Sequence, residues 1–202
     1  LFVLFVYFVV LLRILMKLSD IATIRSGYLF RGKIEPDPQG KYQVIQIGDL
    51  SFAGELSLRS LSRIDLHGLK KSQLLVKGDV LFISRGRRKQ AVAISDELEN
   101  AIASSQFFIL HPDERALPEY LAWYINQFPA QRYLEKHSTG SNVNLINIRA
   151  LAGTPVRVPP LETQRRIIEV HRLSLRENEL IDQIRKKRRS MIETALLGLI
   201  EK

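Results

Sequence analysis

TGSNVNLINIRALAGTPVRVPPLETQRRII, residues 139–168, is where this chain changes character. Upstream lie short apolar runs broken by Gly, Pro and Ser; downstream an almost unbroken helical pattern runs to the end. The hinge is Val158-Pro159-Pro160-Leu161-Glu162-Thr163-Gln164. Two adjacent prolines cannot sit inside a helix, because each lacks a donor and clashes with the preceding turn, but proline suits the first helical position. Glu162 then falls in the first turn, where a negative charge complements the helix dipole. Pro159 and Pro160 therefore mark the end of a globular domain and the start of a long helix.

Working outward, 202 residues suffice for one domain with a real core plus an appendage. Apolar content of 46% and charged content of 25% are those of an ordinary soluble protein. The charge balance is less ordinary: 30 Lys and Arg against 21 Asp and Glu give +9. That excess points to a polyanionic partner, most simply nucleic acid; the bland alternative is a basic solvated surface. Residues 161–202 hold ten basic and seven acidic side chains, so most of the excess lies in the first 160 residues. Without cysteine, no disulfide, thiol nucleophile or Cys-ligated zinc is available. His67, His111, His137 and His171 form no pair at ligand spacing, so no metal or cofactor is expected.

Residues 1–15, LFVLFVYFVVLLRIL, are apolar except Arg13. The uninterrupted run is shorter than the ~20 residues that span a bilayer, and no basic region precedes it as in a signal peptide. It reads as a membrane anchor, a segment packed on the domain, or a translated upstream extension. The last is favoured, since Met16-Lys17-Leu18-Ser19-Asp20 resembles a natural start.

From Met16 a domain is expected through residue 160. Ser19 or Asp20 caps a helical turn, and Gly27 permits a reversal before a polar loop at residues 31–40. Tyr42–Leu50 is strand-like, and residues 51–72 are loop-rich. Val80–Ser84 reads as a buried strand by its apolar run. Ala91–Ser95 and Ala101–Leu110 are two more strands. Residues 119–136, EYLAWYINQFPAQRYLEK, have helical spacing interrupted by Pro129, which gives two short helices in tandem. Asn147–Leu151 suggests a helical turn and Thr154–Val158 a last strand. The expected class is α+β, with twisted, mainly antiparallel strands and short helices, then a long C-terminal coiled-coil helix over residues 161–202.

That helix has no Gly before Gly198. Residues 164–198 would make a rod of about 50 Å, which outreaches a globule of ~145 residues with a radius of gyration of about 15 Å. Part of its apolar stripe is therefore expected to meet another helix, through Val170, Leu173, Leu180, Ile181, Ile184, Met191 and Ala195. Glu177 and Lys187 interrupt the heptad seam. The run Arg185-Lys186-Lys187-Arg188-Arg189 forms a basic collar, solvated or on phosphate.

A search for chemistry finds no phosphate loop, dinucleotide fingerprint, nucleophile elbow or Asn/Asp-Pro-Pro-Tyr segment, so no enzyme is expected. Binding features are stronger. Arg85, Gly86, Arg87, Arg88, Lys89 and Gln90 lie between two apolar strands and should tip a hairpin. Arg makes bidentate contacts to guanine or phosphate, and Gln reads adenine. Ser138, Thr139, Ser141, Asn142 and Asn144 offer hydroxyls and amides suited to phosphate or base edges. Arg31, Lys33 and Tyr42 belong to a third, weaker basic and aromatic cluster. Each set has an ordinary reading as solvated loop.

GDVLFISRG (78–86), YLAWYINQFPAQRYLEK (120–136), the STGSNVNL loop and above all VRVPPLETQRRII (156–168) resemble the specificity subunits of type I restriction-modification enzymes. The resemblance runs from about Met16 to the C terminus. It implies a non-catalytic, cytoplasmic subunit whose target recognition domain reads double-stranded DNA. It also implies helical spacers that pack as an antiparallel coiled coil, an adenine methyltransferase as the modification subunit, and a motor-nuclease subunit. Such subunits carry two recognition domains and two spacers, whereas this sequence has one of each. It is then a fragment, or a half subunit that forms a two-fold homodimer through residues 164–198. The competing class is a coiled-coil adaptor for an acidic protein partner; no membrane partner is expected.

Overall fold

The computed structural model describes residues 15–51, 56–58, 61–86, 89–139 and 145–200. The apolar run at 1–14 lies outside them, as do Arg87, Arg88, Ser141, Asn142 and Asn144. The chain forms two units, one ending at Gln164 and the other beginning at Arg165.

In the first unit, the run VLFI places apolar residues on both faces of strand β5 (Val80–Ile83), and all four are buried. It lies inside a four-stranded antiparallel sheet, β2 (Ala22–Ser26), β8 (Phe107–Pro112), β5, then β6 (Ala91–Ala93). Because successive side chains alternate across a strand, Leu81 and Ile83 face one way and Val80 and Phe82 the other. On the first side, Leu81, Ile83, Phe107 and Ile109 join Ile45, Leu75, Ile94 and Ala103 in the main core. Helix α1 (Pro118–Ile125) packs against β5, β6 and β8 and buries Leu121 and Ile125. A three-stranded sheet orders β4 (Ser62–Ile64), β3 (Tyr42–Ile45) and β7 (Ala101–Ala103); β3 and β7 are its parallel pair. β1 (Leu15–Lys17) and β9 (Pro155–Arg157) form a separate antiparallel ribbon.

The α+β class and the tandem helices are as expected, with α2 (Phe128–Lys136) following α1 and Pro129 in its first turn. Asn147 caps α3 (Ile148–Ala152), its side chain accepting from Ala150 N at 2.8 Å. Four expectations are corrected. Ala101–Leu110 is two strands in different sheets, because the chain turns at Ser104–Gln106 and Phe107 N returns a hydrogen bond to Ser104 O. Tyr42–Leu50 is a strand only to Ile45; Asp49 Oδ2 then accepts from Gln46 N and closes a 3-10 turn. No strand is expected between the capped turn at Ser19 or Asp20 and the reversal at Gly27, yet β2 forms there because β8 supplies its ladder. As expected, the long helix α4 (Leu161–Ile200) begins just after both prolines, and Pro160 O accepts its first hydrogen bond from Gln164 N. Leu15, placed in the N-terminal extension by sequence, is already paired with Arg157 in β1.

Two buried polar side chains fix one end of the four-stranded sheet. Asp79 lies 2.9 Å from His111 Nδ1 and 3.7 Å from the Arg25 guanidinium, and accepts from Val76 N. Burial lowers the Arg25 pKa and Asp79 opposes that shift; its guanidinium also donates to Gln73 O and Leu74 O. Gln164, fully buried, accepts from Leu117 N at 2.8 Å and donates to Arg115 O and Pro159 O at 2.8 and 2.7 Å. The amide thus welds the first turn of α4 to the entry of α1.

The second unit is the rest of α4, about 54 Å of helix. From Val170 onward its large apolar side chains are exposed, from 39% at Ile181 to 80% at Ile200. Ion pairs run along it: Arg172–Glu169, Arg176–Glu179, Arg185–Asp182 and Arg189–Glu193. Exposed i,i+3 and i,i+4 pairs contribute only about 0.3–0.5 kcal/mol each. Two members of the basic collar are therefore engaged within the helix. Among the described residues no helix is long and apolar enough to cross a membrane.

Candidate nucleic-acid interface

The register of the four-stranded sheet decides which loops meet. Ser26 is opposite Phe108, Ile83 opposite Phe107, and Phe82 opposite Ala91. The exit of β2, the β5–β6 hairpin and the entry to β8 therefore share one end of the sheet. The Asp79 cluster and the start of α1 lie at the other.

The hairpin is the one expected from Arg85–Gln90. Gly86 adopts φ +106°, a conformation that disfavours any side chain. Arg85 is exposed and bridges Leu145, which also pairs with Thr139 through two hydrogen bonds of 2.9 and 3.0 Å. Ile146 N donates to Ser84 O at 2.9 Å. The structure thus brings two of the three predicted clusters together: Arg85 stands beside the neck, Thr139 and Leu145, of the loop carrying Ser141, Asn142 and Asn144.

The predicted residues differ in what they present. Lys89 is half-buried, with its carbonyl held by Gln131 Nε2 at 2.7 Å. The side-chain oxygen of Gln90 is buried, without a partner among the described residues. The Ser138 hydroxyl donates to Glu135 O at 2.8 Å and closes the end of α2. Arg31 and Lys33 are exposed, but on a segment whose Phe30 and Ile34 pack against the three-stranded sheet. Tyr42 joins that same cluster at the start of β3, with Lys41 Nζ 5.7 Å from its ring centre. The third cluster is not joined to the hairpin by any hydrogen bond or bridge among the described residues.

Sequence reasoning missed the parts that hold this end rigid. Asn126, after α1, accepts from Ala91 N and donates to Ala91 O, both at 2.8 Å. Gln131 of α2 ties Lys89 O to Ile125 O. The available signal was three amides, Asn126, Gln127 and Gln131, inside the otherwise apolar helical stretch YLAWYINQFPAQ. Ser105 and exposed Gln106 also reach this end, where Gln106 O accepts from both the backbone N and the hydroxyl of Ser84. No described group of His, Asp and Glu could hold a metal ion.

The chain is similar in structure to the HsdS subunit from Thermoanaerobacter tengcongensis, with TM-score 0.61, 21% identity, and 82% of this chain covered against 43% of that one. A chain from a type I R-M system, solved in a study of complex assembly and conformational transition, gives TM-score 0.63 at 18% identity, with the same coverage. The S subunit of a type I restriction-modification system from M. genitalium gives 0.52 at 14%, covering 77% of this chain and 37% of that one. At these identities the likeness is one of fold, and the chain spans less than half the length of each. No curated protein shows significant sequence similarity. A family model for the type I restriction modification DNA specificity domain matches residues 15–187. This chain, whose proline junction and long helix set its architecture, belongs to that family.

Proposed function

We propose that the first unit reads one half of a bipartite DNA site and that residues 165–200 act as the spacer. The observation that carries the reading is the meeting of Arg85 with the Thr139–Leu145 neck at one braced end of a rigid sheet. Arg85, Arg87 and Arg88 supply bidentate donors for guanine or phosphate, and Ser141, Asn142 and Asn144 supply polar groups beside them. The chain spans 43% of the HsdS subunit it resembles, which suits one recognition domain and one spacer. A two-fold pair of such chains, joined through Val170, Leu173, Leu180, Ile181, Ile184, Met191 and Ala195, would restore two of each. The large apolar members of that set are exposed on the lone helix, as an unfilled seam requires. Modification subunits and a motor-nuclease subunit would dock on this assembly, and the protein itself performs no chemistry.

The test is duplex binding by the intact chain, with Arg85→Ala and Arg87→Ala. Each loss of a good bidentate contact should cost about 1–3 kcal/mol, roughly five- to 150-fold in affinity. Loss of a phosphate contact should also flatten the salt dependence by about one unit. Unchanged affinity in both variants would remove the hairpin from the site.

A further inference from the structure

Residues of α1, α2 and the β1–β9 ribbon together line an open groove of about 550 Å³. Its floor is aromatic: Trp123, Tyr124 and Tyr133 line it. Trp123 sits 5.7 Å from the Tyr120 ring and 6.5 Å from that of Tyr124, while Tyr133 stacks on His137 at 4.0 Å. Its walls carry Arg132, Lys136 and Arg157, and no acidic residue lines it among the described residues. All three cations are exposed, and none has an ion-pair partner among the described residues. Arg132 rests near the Phe128 ring, 6.0 Å from its centre.

An apolar floor ringed by unpaired cations selects an occupant that is apolar at its centre and anionic at its edges. Duplex DNA matches the charge but not the floor, because its bases are stacked inside and its surface has no apolar side chain to insert. A protein segment matches both, with a large apolar residue as anchor and carboxylates meeting Arg and Lys. We propose that this groove docks an acidic segment of a partner protein, one with a large apolar side chain flanked by Glu or Asp. None of the residues lining the groove belongs to the DNA-reading set, and the proposal stands whether or not those loops bind DNA.

Trp123 is the one tryptophan of the chain, so its emission reports on the groove directly. The intact protein would be titrated with a synthetic peptide holding Leu-Phe between pairs of Glu. Saturable change in emission is expected, weakened at least about ten-fold in an Arg132→Glu/Lys136→Glu variant, where like charges now meet. Circular dichroism would verify that the variant is folded. A peptide with Gly-Ser in place of Leu-Phe, and one with Lys in place of Glu, should bind at least ten-fold more weakly. Equal response to the Gly-Ser peptide, or none to the Leu-Phe peptide at millimolar concentration, would overturn the proposal. So would a matching emission change on adding duplex DNA, which would make the groove a DNA contact. An emission change with protein concentration alone would assign it to a second copy and equally overturn it.

Discussion

Replacing Gln164 by alanine should loosen the recognition unit where α4 begins. The side chain is fully buried and makes three hydrogen bonds, accepting from Leu117 N and donating to Arg115 O and Pro159 O. Alanine removes all three and leaves the donor at the entry of α1 without a partner. A stranded donor costs about 1–3 kcal/mol, and the two carbonyls, each with a second lone pair to satisfy elsewhere, add less. The expected loss is about 3 kcal/mol. With a urea dependence of ~2 kcal/mol per molar, the midpoint should fall by about 1.5 M. Trp123 lies in the same unit, so its emission follows the transition. Gln164→Glu keeps an acceptor for Leu117 N but turns an oxygen toward two carbonyls, which favours the protonated acid and raises its folded pKa. A raised carboxyl pKa means that stability is full below the unfolded value of about 4.3 and is lost as pH rises through the folded one. A midpoint within ~0.3 M of wild type for the alanine variant would refute the reasoning.

Asn126→Ala unpairs both backbone groups of Ala91. It should cost about 1–2 kcal/mol in urea melts and speed amide exchange at Ala91. At Gly27, an added Cβ would lie 2.1 Å from Ser104 O and 2.7 Å from Ala103 O. Backbone cannot yield cheaply there, so Gly27→Ala should destabilise by about 3 kcal/mol or more; a near-neutral thermal shift would contradict the close approach. The Tyr120 hydroxyl donates to Arg157 O at 2.7 Å, and burial pushes its pKa up to about 12. Its contribution is full below the unfolded pKa near 10 and is lost as pH rises through the folded value. Tyr120→Phe should therefore cost about 1 kcal/mol at neutral pH and flatten the decline in stability above pH ~10.

Local rules carried the sequence reading a considerable way. The apolar run at Val80–Ile83, the basic turn after it, the helical spacing around Pro129 and the double proline before Leu161 each act within a few residues. Their elements stand where that reading placed them. β2 was not legible, since Ala22–Ser26 has weak alternation and becomes a strand by pairing with residues about ninety positions away. The break at Ser104–Gln106 has the same origin: Ile45 O and Ser84, distant in sequence, take the backbone hydrogen bonds that end β7 and start β8. For the site, residue type revealed the hairpin and the Ser/Asn loop but not their meeting through Leu145. It also credited Gln90 with a base-reading amide, whose oxygen the fold buries. Tyr42 was grouped by charge and aromaticity with its neighbours, yet packing against Val44, Ile64 and Ile102 decides its place.

The amide of Asn126 has one more consequence. β6 is the outer strand of its sheet and only three residues long, and strands so placed invite pairing with other chains. By offering one donor and one acceptor to the same residue, Asn126 imitates the rung of a neighbouring ladder. The sheet meets a single side chain where a fifth strand would otherwise add. Of the three residues, that leaves Ala93 as the remaining outward-facing position, too little to template a foreign strand.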